Sequence, residues 1–344
     1  MKSLLCNTNA GAHCALRMLA GGLLLLPAAA QGGYILQDVV NNLDPNFNQE
    51  LAINNSGTIA GYFGDGMAVF NNGYTVVAPL GQANFTAENF PNSGETQTQV
   101  TGINNLGNTV GFWVDAGGAN HGFTDFSGVF TSLDNPGSTA IPVFTQFLGV
   151  NDSDEVAGFF TDAAGSQHAF TVAGGTFTPI NPSNAANATA TDVNNSGTVS
   201  GFLTSTVNGD TYGFLDVSNS IQTYLYPGST VTQFLGLNNQ GLVVGDYVDA
   251  DGNTHGLVFD DLTDVWQTVD DPFAVGGTGN GTTINGINDS GQIVGFYVNA
   301  QGQTIGLLGT ETPEPGSLAL MGLGALVISL LGIVRRRKAT GQQP

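Results

Sequence analysis

One phrase recurs along the chain between residues 31 and 312, and it limits the fold more than any other feature. It consists of an apolar residue, Asn, then Asn or Asp, a short turn, an apolar pair and Gly, usually followed by an aromatic residue. Successive copies are about fifty residues apart or a little less. The copies begin at Ile53-Asn54-Asn55, Ile103-Asn104-Asn105, Val150-Asn151-Asp152, Val193-Asn194-Asn195, Leu237-Asn238-Asn239 and Ile287-Asn288-Asp289. A period of this length indicates a body built from repeated supersecondary units.

Each copy contains signals for four short strands. The Asn-Asn-Ser-Gly type element is typical of a hairpin turn, because Asn and Gly tolerate the positive φ that such turns need. A third strand is predicted after a second Gly-rich turn, at His121-Gly122-Phe123, His168-Ala169-Phe170, Tyr212-Gly213-Phe214, His255-Gly256-Leu257, Ile305-Gly306-Leu307 and a degenerate Met67-Ala68-Val69. A fourth strand ends the unit, as at 129–134 and 265–270. Four antiparallel strands per repeat predict a propeller blade.

The two ends of the repeat body predict a closed ring. The sixth copy reaches Leu308 without a fourth strand, whereas residues 34–39 have the fourth-strand pattern and precede the first hairpin. Pairing these ends would remove two exposed sheet edges. We therefore predict an all-β, six-bladed β-propeller over residues 31–309, closed by an N-terminal strand. The alternative is an open β-solenoid, which does not need the offset strand.

The first thirty residues predict export. Lys2 and Arg17 precede the apolar stretch 18–26, and Ala28 and Ala30 satisfy the A-x-A cleavage pattern, so residues 1–30 are predicted to be a secretory signal peptide. The chain has only two cysteines, both within this segment. The mature body is accordingly predicted to contain neither a disulfide nor a cysteine nucleophile.

The last residues predict a membrane-sorting tail. A linker at 310–316 contains Pro313-Glu314-Pro315, and the apolar run 317–334 follows it. As a helix this run would be about 27 Å long, enough for one transmembrane helix. The basic tail at 335–344 begins with Arg335, Arg336 and Arg337, which predicts a cytoplasmic C-terminus.

The proline-glutamate-proline motif, the apolar helix and the arginine cluster together resemble the PEP-CTERM sorting signal of Gram-negative bacteria. The resemblance implies processing by an exosortase-type enzyme. It also implies a chain that is first anchored in the inner membrane through its C-terminal helix and then reaches the cell surface or the extracellular matrix. In the body, His168-Ala169-Phe170 and the Asn-x-x-Gly-x-Val-x-Gly elements resemble the extracellular HAF repeat family.

The charge distribution excludes one class of partner. No Lys or Arg lies between residues 31 and 312, whereas all of the 27 acidic residues except Glu314 lie there. Nucleic acids are bound through basic side chains, so we predict no nucleic-acid partner. The sequence also contains no Gly-x-Ser-x-Gly or His-Glu-x-x-His motif, and we predict that the protein is not an enzyme.

Two features raise the question of a metal. His121, His168 and His255 occupy one strand position in three different repeats, and the rotation between blades would hold them too far apart for zinc. Residues 249–253 begin like a calcium loop but have Thr254 where the sixth-position Gly should be and no Glu at the twelfth position. We predict no cofactor, with calcium at this loop as the alternative.

The sequence offers one candidate binding site. Five residues before each repeat Asn stands a Gln or Thr, and these residues are expected at one mouth of the central channel. They are Gln49, Gln99, Gln146, Thr189, Gln233 and Thr283. Beside Phe147 and Phe234, such amide and hydroxyl groups can hydrogen-bond a sugar. The alternative interpretation is that they simply line a wet channel.

Three functional hypotheses follow. The first is an exported cell-surface or exopolysaccharide-matrix protein whose propeller is a non-catalytic structural or adhesive module. The second is a lectin-like module that binds exopolysaccharide. The third is a glycoside hydrolase or lyase, which would require a pair of carboxyl groups about 5 to 10 Å apart in a pocket.

Overall fold

Short strands separated by tight turns make up most of the body. The computed structural model describes residues 33–91, 95–277 and 279–312. Strand positions are rich in Val, Ile, Phe and Thr, whose branched or aromatic side chains suit a pleated sheet. The strands are β1 Tyr34–Val39, β2 Asn48–Ile53, β3 Ile59–Phe63, β4 Asn72–Val76, β5 Phe85–Ala87, β6 Glu95–Ile103, β7 Thr109–Asp115, β8 Asn120–Phe126, β9 Val129–Leu133, β10 Thr145–Val150, β11 Val156–Thr161, β12 Gln167–Ala173, β13 Thr176–Ile180, β14 Ala185–Val193, β15 Val199–Ser205, β16 Thr211–Val217, β17 Ser220–Tyr224, β18 Val231–Leu237, β19 Leu242–Val248, β20 Thr254–Asp260, β21 Val265–Val269, β22 Thr282–Ile287, β23 Ile293–Val298 and β24 Thr304–Glu311.

The repeats are arranged in a ring. We number them 1 to 6 in chain order, with first strands β2, β6, β10, β14, β18 and β22. Each first strand contacts the first strand of the next repeat, and β22 contacts β2. Successive strands within a repeat pair antiparallel. The first strands therefore line a central channel, as in a propeller and not in an open solenoid.

An N-terminal strand completes the ring, as predicted. β1 pairs antiparallel with β24, from Tyr34 opposite Glu311 to Val39 opposite Gly306. The resulting sheet has the order β1-β24-β23-β22, so its outer strand comes from the beginning of the body. The Tyr297 hydroxyl on β23 also donates to Asp38 Oδ1 on β1 at 3.2 Å. The closing strand is thus held by both backbone and side-chain bonds.

The prediction of six separate blades is wrong. The described strands form four four-stranded blades and one eight-stranded sheet. Repeats 4 and 5 share the larger sheet because β16 pairs with β18 in parallel at Thr211 and Val231, where the Thr211 N–H donates to the Thr230 carbonyl at 3.0 Å. Parallel bridges also join Asn120 with Phe144, Thr254 with Gly281 and Thr304 with Phe47, but one partner of each lies outside the strands. Both Thr211 and Val231 lie within strands, and this bridge therefore merges two predicted blades into one sheet.

The third strand of repeat 1 also differs from the prediction. Met67-Ala68-Val69 is a turn, and the strand is β4 at Asn72–Val76. Asp65 Oδ1 accepts the backbone N–H groups of all three turn residues, at 2.7 to 3.0 Å. Because those N–H groups are satisfied by a side chain, they are not available to a sheet ladder.

The apolar core lies between neighbouring repeats. Phe147 of β10 is fully buried and packs against the preceding repeat, where a Cβ on Gly122 would lie 2.7 Å from its ring. Phe234 of β18 packs on Gly213 in the same way. The glycine in the third-strand motif therefore makes room for a side chain of the next repeat. Each buried phenylalanine contributes about 1.5 to 3 kcal/mol.

Several predicted segments fall outside the described residues. They are the signal peptide at 1–30, the Pro-Glu-Pro motif, the transmembrane helix at 317–334 and the basic tail at 335–344. In the part of the chain that is described, no helix has the length and apolar character needed to cross a membrane.

Candidate functional site at the channel mouth

The Asn that marks each repeat organises the turn after the first strand. In repeat 1, Asn54 Oδ1 accepts the backbone N–H groups of Ser56 and Thr58 at 3.1 and 3.0 Å. Gly57 in this turn has a φ of 79°, a conformation that favours glycine. The same pair of side-chain bonds recurs in the other five turns. The repeat Asn is thus the acceptor that closes its own hairpin.

The same Asn residues join the repeats to one another. Each Nδ2 group donates to the backbone carbonyl of the equivalent Asn in the next repeat, at 2.9 to 3.2 Å, and the last bond returns from repeat 6 to repeat 1. The bonds run from Asn54 to Asn104, Asn104 to Asn151, Asn151 to Asn194, Asn194 to Asn238, Asn238 to Asn288 and Asn288 to Asn54. We call this closed circle the amide ring.

A second circle lies one residue further along each turn. Its members are Asn55, Asn105, Asp152, Asn195, Asn239 and Asp289, and each backbone N–H donates to the side-chain oxygen of the next member at 2.8 to 2.9 Å. We call this circle the outer ring. The carboxylate Oδ2 of Asp152 accepts the side-chain amides of Asn105 and Asn195. Asp289 accepts those of Asn55 and Asn239 in the same way.

The two outer-ring carboxylates are ionised. Partial burial would raise the pKa of Asp152, but hydrogen bonds from Asn105 and Asn195 outweigh it and hold the pKa below its usual value. Burial and the negative charge of Asp152 would raise the pKa of Asp289, but hydrogen bonds from Asn239 and Asn55 outweigh them and lower it. Two negative charges on opposite sides of the ring make the channel mouth unfavourable for anions.

A small cavity of about 80 Å³ lies within the two rings. Below the rings the first strands converge on a circle of small residues, and only repeat 4 has a charged residue there. Ala52, Gly102, Gly149, Asp192 and Gly286 line the cavity, and Gly236 completes the circle beside Gly286. A Cβ on Gly149 would lie 2.3 Å from Asp192 Oδ1, so the strands leave no room for larger side chains at this level. The cavity holds a few water molecules at most.

Asp192 is the carboxyl group at this constriction. Its two oxygens accept the backbone N–H groups of Val193 and Leu237 at 2.9 and 3.2 Å. Although part of the side chain faces the cavity, the surrounding strands desolvate the carboxyl group and raise its pKa to about 7. The channel therefore combines two ionised carboxylates at its mouth with one that titrates near neutrality inside.

The predicted Gln and Thr circle lies at the other end of the first strands, and its role in binding stays a prediction. These residues are near the starts of the first strands and are not among the residues that line the cavity. Gln49 accepts the Tyr62 hydroxyl, and the others contact the preceding repeat: Gln99 with Asn71, Gln146 with Asn120, Thr189 with Gln167 and Thr283 with Asp246. Gln233 is opposite Asp246 on the adjacent strand. Phe147 and Phe234 are fully buried.

The three strand histidines contact hairpin carboxylates. His121 Nδ1 lies 2.9 Å from Asp134, His168 Nε2 lies 2.9 Å from Asp162, and His255 contacts both Asp270 and Asp249. Asp249, the first residue of the loop considered for calcium, also accepts the N–H groups of Asp251 and Asn253. Calcium at this loop stays the alternative. Among the described residues, no group of three or more His, Cys, Asp or Glu side chains could hold a metal ion.

The ring residues could have been recognised from the sequence. The repeat Asn residues were found as turn formers, but turn chemistry alone does not reveal bonds between repeats. The two aspartates of the outer ring stand where other copies have a second Asn, and Asp192 stands where they have Gly or Ala. Comparing the six copies position by position exposes all three substitutions.

The family comparison concerns the end of the chain. Residues 311–338 match the PEP-CTERM protein-sorting motif. The motif marks an exported, surface-targeted protein and implies processing by an exosortase-type enzyme. No curated protein sequence matches the chain. The assignment of the body to HAF-type repeats stays a prediction.

Solved structures with a similar fold share little sequence with the chain. A triple mutant of AofleA from Arthrobotrys oligospora has 7% identity and a TM-score of 0.47, with 82% of this chain and 90% of that chain covered. A fungal lectin from Aleuria aurantia has 11% identity and a TM-score of 0.45, covering 78% and 97%. TolB from Acinetobacter baumannii has 10% identity and a TM-score of 0.47, covering 75% and 65%. At these values the similarity does not bear on function.

Proposed function

We propose that the protein is a non-catalytic structural or adhesive module of the cell surface or exopolysaccharide matrix. The observation that carries this proposal is the use of the repeat signature. In every copy the repeat Asn both closes its hairpin and bonds the next repeat in the amide ring. The most characteristic residues of the sequence are thereby committed to holding the body together.

The arrangement of the acidic groups supports a non-catalytic role. Glycoside hydrolysis needs two carboxyl groups about 5 to 10 Å apart, with substrate between them. Asp249 and Asp270 lie on either side of His255, and the imidazole contacts both carboxyl groups, at 3.2 and 2.8 Å. The histidine ring therefore occupies the space that a glycosidic bond would need between this pair.

The decisive experiment incubates the purified full chain with exopolysaccharide from the producing strain and measures new reducing ends and unsaturated sugars. We expect no release above a heat-treated control, because the characteristic residues of the repeats are committed to holding the body together. A time-dependent release that scales with protein concentration would establish the hydrolase or lyase hypothesis instead.

The structural role is tested by measuring how much matrix cells retain under shear. Cells that produce the protein should retain more matrix under shear than cells that lack it. A Pro313→Ala/Pro315→Ala variant is the matched control, because it alters the sorting motif and leaves the body unchanged. Equal retention in all three strains would contradict the structural or adhesive role.

The lectin-like alternative at the predicted Gln and Thr circle is tested with Gln146→Ala and Gln233→Ala. Since most of these groups already bond other side chains, we expect exopolysaccharide binding, if any is measured, to be the same in both variants. A loss of saturable binding in either variant would favour the alternative.

A further inference from the structure

Repeat 1 has a cavity of about 170 Å³ beside Phe63 and Asn72, and repeat 4 contains a larger, open pocket at the equivalent place. This open pocket has a volume of about 310 Å³ and lies between the linker before β14, the β15–β16 hairpin and the outer strand β17. Ser183 and Asn184 come from the linker, Ser205 and Asn208 from the hairpin, and Leu203 and Tyr212 from the paired strands. The volume is at the lower end of the range for small-molecule sites.

The pocket is open because repeat 4 lacks the aromatic–histidine pair of repeats 2, 3 and 5. Repeats 1 and 6 also lack it, with Phe63 opposite Asn72 and Tyr297 opposite Ile305. In repeats 2, 3 and 5 the second and third strands place an aromatic ring beside a histidine, with ring centroids 4.6 to 5.1 Å apart. The pairs are Trp113 with His121, Phe160 with His168 and Tyr247 with His255. In repeat 4 the same pair is Leu203 with Tyr212. A single ring replaces a stacked pair and leaves space beside it.

The space stays open because no aromatic side chain of the linker packs over it. In repeats 2, 3 and 5 the linker from the preceding repeat packs on the aromatic residue of the second strand. Phe90 stacks on Trp113 at 4.9 Å, Tyr226 stacks on Tyr247 at 3.6 Å, and a Cβ on Gly137 would lie 2.8 Å from the Phe160 ring. The linker before β14 consists of residues 181–184 and has no aromatic side chain. Nothing in it can fill the position that Phe90 and Tyr226 occupy elsewhere.

The walls of the pocket are held in place. The Thr206 backbone N–H and hydroxyl both donate to the Asn184 carbonyl, at 2.7 and 3.0 Å, which ties the linker to the hairpin. Asn208 Nδ2 donates to the Tyr212 hydroxyl at 2.9 Å and to Asp210 Oδ2 at 2.6 Å. Because the Tyr212 oxygen accepts this bond, its own proton is free to be donated to a ligand. A preorganised site loses less entropy on binding.

The chemistry of the lining suits a neutral sugar. The partly exposed ring of Tyr212 provides an apolar surface for the C–H face of a pyranose, and the largely buried Leu203 lies at the base of the pocket. Amides and hydroxyls of Asn184, Asn208, Ser183 and Ser205 surround that surface and match sugar hydroxyl groups. No basic residue lies between residues 31 and 312, so an acidic sugar would meet only repulsion.

We propose that this pocket of repeat 4, which we call the Tyr212 pocket, binds an uncharged sugar residue of an extracellular polysaccharide. The first strand β14 starts at the pocket and ends at the amide ring. The described chain ends at Thr312 beside Gly33, at the ring end of the strands. Thr312 and the pocket therefore lie at opposite ends of the strands.

The test is isothermal titration of the purified full chain in detergent with the methyl glycosides of glucose, galactose, mannose, N-acetylglucosamine and glucuronic acid. We expect saturable binding of at least one neutral glycoside with a Kd of about 1 mM, the range of a small ligand with few contacts. Tyr212→Ala should weaken it by at least about tenfold, because the aromatic surface is lost. Phe273→Ala, which removes an exposed aromatic residue outside the pocket, should leave it unchanged.

A second variant separates binding from folding. Ser183→Trp places a ring on the linker, where Phe90 and Tyr226 stand in other repeats, and should abolish binding without lowering the Tm. Three outcomes would overturn the proposal: no neutral glycoside binds, binding persists in both pocket variants, or the glucuronide binds as tightly as the neutral sugars. None of them depends on whether the protein strengthens the matrix.

Discussion

A single buried carboxyl group distinguishes one junction between repeats from the other five. Glu50 on β2 packs against Gly306 of β24, where the first repeat meets the last, and it is completely buried. The equivalent residues in the other repeats are Val100, Phe147, Ala190, Phe234 and Ile284. The Tyr74 hydroxyl donates to Glu50 Oε1, whereas Oε2 is buried without a hydrogen-bond partner among the described residues. Desolvation raises the pKa of Glu50 well above its usual value, although the bond from Tyr74 opposes the shift.

We predict that Glu50→Gln makes the stability of the body less dependent on pH. A carboxyl group with a raised folded-state pKa favours the folded state below its unfolded pKa, and that stability is lost as the pH rises through the folded pKa. Glutamine cannot ionise, so the Tm of the variant relative to the parent should increase from pH 4 to pH 8. Thermal denaturation of both proteins at several pH values measures this difference in Tm. Glu311→Gln, at an exposed position, is the control, and equal pH slopes for parent and Glu50→Gln would contradict the prediction.

At the scale of the structural element, a substitution in the Asn turn should lower the free energy of unfolding more than one elsewhere in a repeat. Asn238 is buried, accepts the N–H groups of Gln240 and Leu242, and donates to the Asn288 carbonyl. Asn238→Ala leaves these groups without partners and should lower the free energy of unfolding by about 2 to 4 kcal/mol. Asn42→Ala, at an exposed site, should change it by less than about 0.5 kcal/mol. Chemical denaturation compares the two, and similar losses would show that the amide ring contributes little.

The elements also show which parts of the fold can be read from the sequence. Turn positions and the offset strand β1 were predictable, because local turn chemistry and one unpaired strand pattern specify them. The third strand of repeat 1 was not, since the three bonds from Asp65 override a weak strand signal. Nor was the joining of repeats 4 and 5, which depends on one contact between Thr211 and Val231.

The rings were not predicted from the sequence for a related reason. Each first strand contains a β-bulge three residues before its Asn, as at Leu51, where the register shifts between Glu50 and Ala52. A bulge reverses the alternation of side chains along a strand. Counting alternate residues back from Asn54 to Gln49 therefore does not show which side chains share a face. The ring contacts depend on this irregularity, which the repeat pattern does not show.

At the scale of the whole molecule, the shifted carboxyl groups act together on stability. Desolvation raises the pKa of Glu88, Asp192 and Asp246 to about 7, and that of Glu50 also lies well above its usual value. Asp65, Asp115, Asp152, Asp162, Asp249 and Asp289 have lowered pKa values, chiefly through hydrogen bonds. The first set favours folding in acid, and the second loses its contribution only when the pH falls below about 4.

We therefore predict that the Tm rises as the pH is lowered from 8 to 5 and falls only below about pH 4. The absence of Lys and Arg from residues 31–312 adds to this trend, because the ionised carboxylates repel one another without compensation. Salt screens that repulsion, so added sodium chloride should raise the Tm more at pH 8 than at pH 5. Calorimetry over this range with and without salt tests both effects. A Tm that increases from pH 5 to pH 8 would mean that the buried carboxyl groups are ionised in the folded protein, and that the acid-stable body inferred from their desolvation does not exist.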